Sequence, residues 1–146
     1  MRETKRITIA EVEYIAYKLA KETMKWNEPI PDFSSRYPNI LESCLATPFQ
    51  SFGGQKAYTG LIARAAILFY LMIKNHPFQN GNKRIAMTTL FIFLFMNKKW
   101  LKIDNQKLYN FSVGVAQSLP ELRKETVLGI EKFIKLYIVD LNKLHV

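Results

Sequence analysis

Two strongly apolar runs constrain this chain more than any other feature: Leu61 to Ile73, interrupted only by Arg64, and Ile85 to Met96, which carries no charge. Each falls short of the ~18–20 residues that a membrane-spanning helix needs. Both therefore read as buried helices at the centre of a folded core. Between them lies His76-Pro-Phe-Gln-Asn-Gly-Asn-Lys-Arg84, a short polar segment that concentrates an imidazole, three carboxamides, a glycine, a lysine and an arginine. Polar density of this kind between two apolar helices points to a site.

The surrounding sequence is dominated by helical signals. Thr8 followed by Glu11 forms a capping-box pattern, and Val12, Ile15, Ala16 and Leu19 share one face, which predicts a first helix from about Ile9 to Met24. Trp26 to Pro38 holds Pro29, Pro31 and Pro38 and reads as a loop. Asn39 is the expected cap of a short helix through Ile40, Leu41 and Leu45 that stops before Pro48. From Pro48 to Tyr58 aromatic and polar residues alternate up to a Gly53-Gly54 pair, which predicts a hairpin flap. Helix formers fill Gly60 to Asn75, and a further helix is expected from Gly81 or Asn82 to about Lys98. Asp104 is the expected cap of a helix through Leu108, Phe111 and Val115. Ser118, Pro120 and Glu121 open the last one, whose apolar face includes Val127, Ile130, Phe133, Ile134, Tyr137 and Ile138. The expected fold is all-α, about six helices with one short β-hairpin.

Composition narrows the classes. A chain of 146 residues, 49% hydrophobic and 23% charged, is the size of one domain, expected over 1–146, and is not intrinsically disordered. Cys44 alone forms no internal disulfide, and with only His76 and His145 besides, no four-ligand Cys/His zinc site is possible within it. Met1 to Arg6 lacks the apolar core of a signal peptide, so a reducing, cytoplasmic setting is expected. The net charge of +9 suits an anionic partner without identifying it, and most of it reads as a solvated lysine-rich surface. No helix-turn-helix or other nucleic-acid signature is present, so no specific nucleic acid is expected.

The polar segment has its own physics. The backbone N–H groups of Asn82, Lys83 and Arg84 open a helix and lack intrahelical partners, so with the helix dipole they attract an anion, most naturally a phosphate. Gly81 admits that anion close to the backbone, Lys83 adds a point charge, and Arg84 adds a planar fork for two phosphate oxygens. His76, at the end of the preceding helix, can take a proton from an attacking hydroxyl. Asn80 offers a neutral oxygen to a metal ion or a hydroxyl. Against this stand plainer roles: a histidine near a helix end is often a cap, Lys-Arg at a helix start is often solvated, and Phe78 reads as a core anchor. No Walker-type phosphate loop occurs, and Asp32, Asp104 and Asp140, the only aspartates, sit in no nucleophile turn.

The segment His76 to Arg84 resembles the signature loop of the Fic/Doc superfamily, and its Asn-Lys-Arg ending resembles the death-on-curing (Doc) branch. Leu41-Glu-Ser-Cys-Leu-Ala-Thr-Pro-Phe-Gln-Ser-Phe-Gly-Gly54 is similar to the stretch that leads into the target-docking flap of Doc-type proteins. The resemblance implies a helical toxin that binds ATP over the loop and a target protein against the flap residues Phe49, Gln50, Ser51, Phe52, Gly53 and Gly54. Relatives with the fuller motif transfer AMP to a target hydroxyl. They carry an acidic residue at Asn80, a second glycine at Lys83 and a second arginine at Met87, whereas the Doc branch transfers the terminal phosphate.

The implied roles follow residue by residue. His76 deprotonates a threonine of elongation factor Tu, while Gly81, Asn82, Lys83 and Arg84 hold the phosphates and Arg84 stabilises the transferring group. Asn80 stands at the Mg2+ position, where a neutral oxygen binds a hard cation less well than a carboxylate. The chain lacks the inhibitory Ser/Thr-x-x-x-Glu pattern, so inhibition is expected in trans from a cognate antitoxin. The alternatives are AMP transfer by the same loop and a catalytically weak nucleotide- or partner-binding module.

Overall fold

The structure, a computed structural model, describes residues 3–23 and 30–144. The expected end of the first helix at Met24 and the loop residues Trp26, Asn27 and Pro29 lie outside the described residues. Helix α1 passes through three contiguous segments, Ile9–Glu11, a π-helical stretch Val12–Tyr17, and Lys18–Thr23. Its start carries the expected capping box: the Thr8 hydroxyl accepts from the Glu11 N–H at 3.2 Å and the Glu11 carboxylate accepts from the Thr8 N–H at 2.9 Å. The π-helical stretch, which the apolar periodicity did not predict, turns Val12, Ala16 and Tyr17 into the core.

Helix α2 covers Pro38–Ala46, with Tyr37 rather than Asn39 as its cap. Pro38 fits the first helical position because the N–H it lacks would have no partner there. The Tyr37 N–H donates to the Pro77 carbonyl at 2.8 Å, tying the start of α2 to the polar segment. Strands β1 (Ser51–Phe52) and β2 (Gln55–Lys56) pair antiparallel, Ser51 with Lys56 and Phe52 with Gln55. Gly53 and Gly54 make the two-residue turn with φ of 58° and 79°, angles that a side chain would strain.

Helices α3 (Leu61–Lys74) and α4 (Asn82–Met96) form the centre, as their composition requires. Every residue from Arg64 to Ile73 is buried, and so is nearly all of α4 up to Leu94. Around α4 pack α1, α3, strand β3 (Lys99–Leu101) and helix α5 (Asn105–Gln117), while helix α6 (Arg123–Tyr137) covers α3. The all-α class is thus as expected, with six helices and the flap hairpin among the described residues.

Other boundaries differ from the sequence reading. Helix α4 stops at Met96, because Asn97 turns its carboxamide to the Phe93 carbonyl at 2.9 Å and to the backbone of Lys5, and Lys98 takes a positive φ of 63°. The freed chain forms β3, which pairs antiparallel with β4 (Ile138–Asp140), so Ile138 belongs to a strand and not to the last helix. The Lys99–Asp140 ion pair closes the end of that second small sheet. Ser118 finishes α5 instead of starting α6: its hydroxyl donates to the Val115 carbonyl at 2.6 Å, and a 3-10 turn, Pro120–Leu122, intervenes. Lys74 completes this junction by donating to the carbonyls of Ala116 and Ser118 at 3.0 and 2.6 Å. Asp104 caps α5 as predicted, accepting from the Lys107 N–H at 3.2 Å. Among the described residues no helix is long and apolar enough to cross a membrane.

Two adjacent threonines in α4 generate opposite expectations. Both are fully buried, but Thr88 donates to the Ala16 carbonyl in the π-helical stretch at 2.7 Å, whereas the Thr89 hydroxyl has no partner among the described residues. Thr88→Val should destabilise by about 1–3 kcal/mol, and Thr89→Val should stabilise by about 1 kcal/mol, as thermal melts of the two variants will report. Burial also pushes the Cys44 thiol up to about 12. It should stay unreactive to a thiol reagent at pH 8 until the chain unfolds. The folded thiol holds its proton above the pH where the unfolded one loses it, so this contribution to stability should be full below about pH 9 and decline as pH rises beyond it.

Candidate active site

The loop between α3 and α4 reverses direction through two residues in the left-handed region, His76 with φ 50° and Gly81 with φ 72°. At Gly81 a side chain is doubly excluded. Its Cβ would also meet the Ile30 side chain at 3.0 Å, with the Arg84 guanidinium 3.5 Å away. Phe78 drives the middle of the loop inward, packing against Tyr17 and Phe33 with ring centroids 6.4 and 5.8 Å apart. Its reading as a core anchor is correct.

Asn82 fastens the loop from the other side. Its Oδ1 accepts from the Phe78 N–H at 2.9 Å and its Nδ2 donates to the Phe78 carbonyl at 2.8 Å, so one side chain satisfies both backbone groups of that residue. The same Nδ2 lies 3.4 Å from Nδ1 of His76. The Asn82 carboxamide is therefore committed inside the loop, leaving its backbone N–H for the anion-binding role expected from the sequence. The signal for the clamp was present in the spacing, an Asn four residues after an apolar anchor in a short loop.

The outward face carries the remaining polar groups. His76 and Asn80 are exposed, Lys83 is half-buried and Arg84 is only 4% exposed. Asn80 bends back so that its Oδ1 accepts from the Gly81 N–H at 3.3 Å. Gly81 and Asn82, which open α4, are themselves buried, with the Arg84 guanidinium beside Gly81. This arrangement can bind a phosphate at a helix N-terminus with an imidazole alongside. Among the described residues no three His, Cys, Asp or Glu side chains gather to hold a metal ion.

The flap is built at the opposite end of α3. Phe49 is not part of its tip: it is half-buried against Phe93, and the guanidinium carbons of Arg6 and Arg64 lie 4.6 and 4.8 Å from its ring centroid. Arg64 is 6% exposed and also donates from Nε to the Pro48 carbonyl at 3.2 Å. These two arginines anchor the flap base, a role that nothing in the local sequence signals for Arg6. Gln50, Ser51, Phe52, Gly53 and Gly54 are exposed, with Phe52 at 68%.

Comparison with known proteins bears on this geometry. The Fic/DOC family matches residues 6–94, which run from the segment before α1 to the last buried turn of α4 and include both flap and loop. The chain belongs to the Fic/DOC family. A curated relative, Toxin Doc of Mycolicibacterium smegmatis (strain ATCC 700084 / mc(2)155), is 34% identical over 65 residues, 44% of this chain and 50% of the relative. The chain thus spans about half the length of the curated relative it matches. No solved structure matches it. The loop from His76 to Arg84, like the flap, lies within the residues that the family matches.

The flap separates anchoring from presentation. Phe49→Ala should lower stability by about 2–4 kcal/mol, whereas Phe52→Ala should leave the melting temperature within about 1–2 °C of the parent. A protein that docks on the flap should lose affinity with Phe52→Ala, measured by calorimetric titration.

Proposed function

We propose that this chain is a Doc-like toxin that transfers the γ-phosphate of ATP to a Thr or Ser hydroxyl of a translation factor, with elongation factor Tu as the target, arresting translation in the cytoplasm. The observation that carries this reading is the loop itself: it sets the His76 imidazole 3.4 Å from Asn82, the first residue of α4, with the nearly buried Arg84 guanidinium beside Gly81. The family membership and the relative named Toxin Doc support it.

In this mechanism the target hydroxyl oxygen attacks the γ-phosphorus as the bond to the β–γ bridging oxygen breaks, and ADP departs. His76 receives the hydroxyl proton on a ring nitrogen. Arg84, Lys83 and the N–H groups of Asn82, Lys83 and Arg84 hold the non-bridging oxygens, whose charge they offset through the transition state. The residues suit Mg2+ only as a companion of the nucleotide: the loop has no carboxylate, and the exposed Asn80 Oδ1 would be the neutral oxygen it offers to the ion. Mg2+ bound there would neutralise phosphate charge.

Terminal phosphate transfer is favoured over AMP transfer by Met87. It is fully buried in the core, so the second guanidinium of the AMP-transferring relatives has no counterpart at that position. A cognate antitoxin acting in trans fits the missing inhibitory pattern and the net charge of +9.

The test is label transfer to purified elongation factor Tu from ATP carrying the label in either the α- or the γ-phosphate, with Mg2+. Only γ-label should reach the target. His76→Ala should reduce it about 10²–10⁴-fold, and Asn80→Asp should increase it by strengthening the Mg2+ site. Transfer of α-label would replace this reading with AMP transfer, and no label from any variant would favour the binding module.

A further inference from the structure

We propose that Asn82 is a positioning residue that sets which ring nitrogen of His76 carries the proton, holding Nδ1 as a hydrogen-bond acceptor and leaving the proton on Nε2. The orientation of the Asn82 amide is fixed by its partners. Oδ1 faces the Phe78 N–H at 2.9 Å and Nδ2 faces the Phe78 carbonyl at 2.8 Å, so a flip would oppose donor to donor and acceptor to acceptor. The nitrogen that faces His76 Nδ1 at 3.4 Å is therefore an N–H donor. A neutral imidazole has one donor and one acceptor nitrogen, and a proton on Nδ1 would point at that N–H.

The ring is held at this partner by the backbone around it. His76 takes its φ of 50° at the end of α3, and the two residues after it, Pro77 and Phe78, are buried. Nε2 belongs to an exposed side chain and, among the described residues, makes no hydrogen bond to protein. The resting loop thus presents Nε2–H outward, a donor suited to an anionic oxygen. For His76 to accept a proton, its contact with Asn82 must give way or the ring must change tautomer. Asn82 consequently gates the base that the proposed reaction uses. This inference rests on the assignment of His76 as that base only for its functional consequence, because the tautomer is a property of the protein without nucleotide.

The chain has only two histidines, so His76 is assigned by comparison with His145→Ala. The experiment correlates ring protons with ring nitrogens by NMR in the uniformly 15N-labelled full chain, at a pH where the imidazoles are neutral, native and in urea. The native His76 ratio should favour Nε2–H by about fivefold over the urea-unfolded chain. Asn82→Asp retains an acceptor for the Phe78 N–H but turns a carboxylate oxygen toward Nδ1, and should shift the proton to Nδ1. A native ratio equal to that of the unfolded chain overturns the proposal, as does a folded Asn82→Asp with an unchanged tautomer. Should that variant fail to fold, the native-to-unfolded comparison decides alone. Absence of γ-label transfer with the tautomer ratio intact would remove the kinase reading and leave the Asn82 assignment standing; normal transfer with an unbiased ratio would do the reverse.

Discussion

Burial of helix α4 on nearly all sides is the constraint on which the rest of the structure depends. From Ile85 to Leu94 every residue is buried, so each neighbour, α1, α3, α5 and β3, is fixed in position by the surface it offers to this one helix. A helix so enclosed must satisfy most of its polar groups internally, and Thr88 does so by donating across to the π-helical stretch of α1, while the Thr89 hydroxyl is left without a partner among the described residues. The consequence for the site is positional: the polar loop runs straight into a helix fixed by the core, and Gly81, Asn82 and Arg84 at its start are themselves buried.

The polar loop inherits its shape from both sides of that boundary. Phe78 is held among aromatic rings, the Pro77 carbonyl accepts from Tyr37 at the start of α2, and the Asn82 carboxamide spans both backbone groups of Phe78. These contacts spend the loop's inward-facing polarity, so that the imidazole, Asn80 and Lys83 remain outward. Arg84, nearly buried beside Gly81, contributes its charge from a fixed position rather than from a flexible surface arm. The proposed phosphoryl transfer would draw on pre-organisation of this kind.

Much of this was legible in the sequence because the decisive signals were local. The uncharged run from Ile85 to Met96 identifies a buried helix, Thr8 with Glu11 identifies a cap, Gly53-Gly54 identifies a turn, and Phe78 reads as an anchor. The differences have two physical origins, a neighbouring residue that takes the helix start and a strand partner remote in sequence. Asn39 and Ser118 are good caps by residue type, but Pro38 and the 3-10 turn at Pro120 took the helix starts. Ile138 continues a helical periodicity yet lies in a strand, because its backbone partner is Leu101, remote in sequence.

The sequence by itself determined the helical class, the two central helices and the concentration of imidazole, carboxamide and cationic groups between them, since apolar spacing and turn chemistry act over a few residues. Only the tertiary structure decided which groups face one another: that the Thr88 hydroxyl reaches the Ala16 carbonyl, that Arg64 and Arg6 flank the flap's base through Phe49, and that β3 finds β4. Such pairings depend on distances between segments far apart along the chain, and a hydrogen bond or ring contact exists only where the packed core brings both partners within reach.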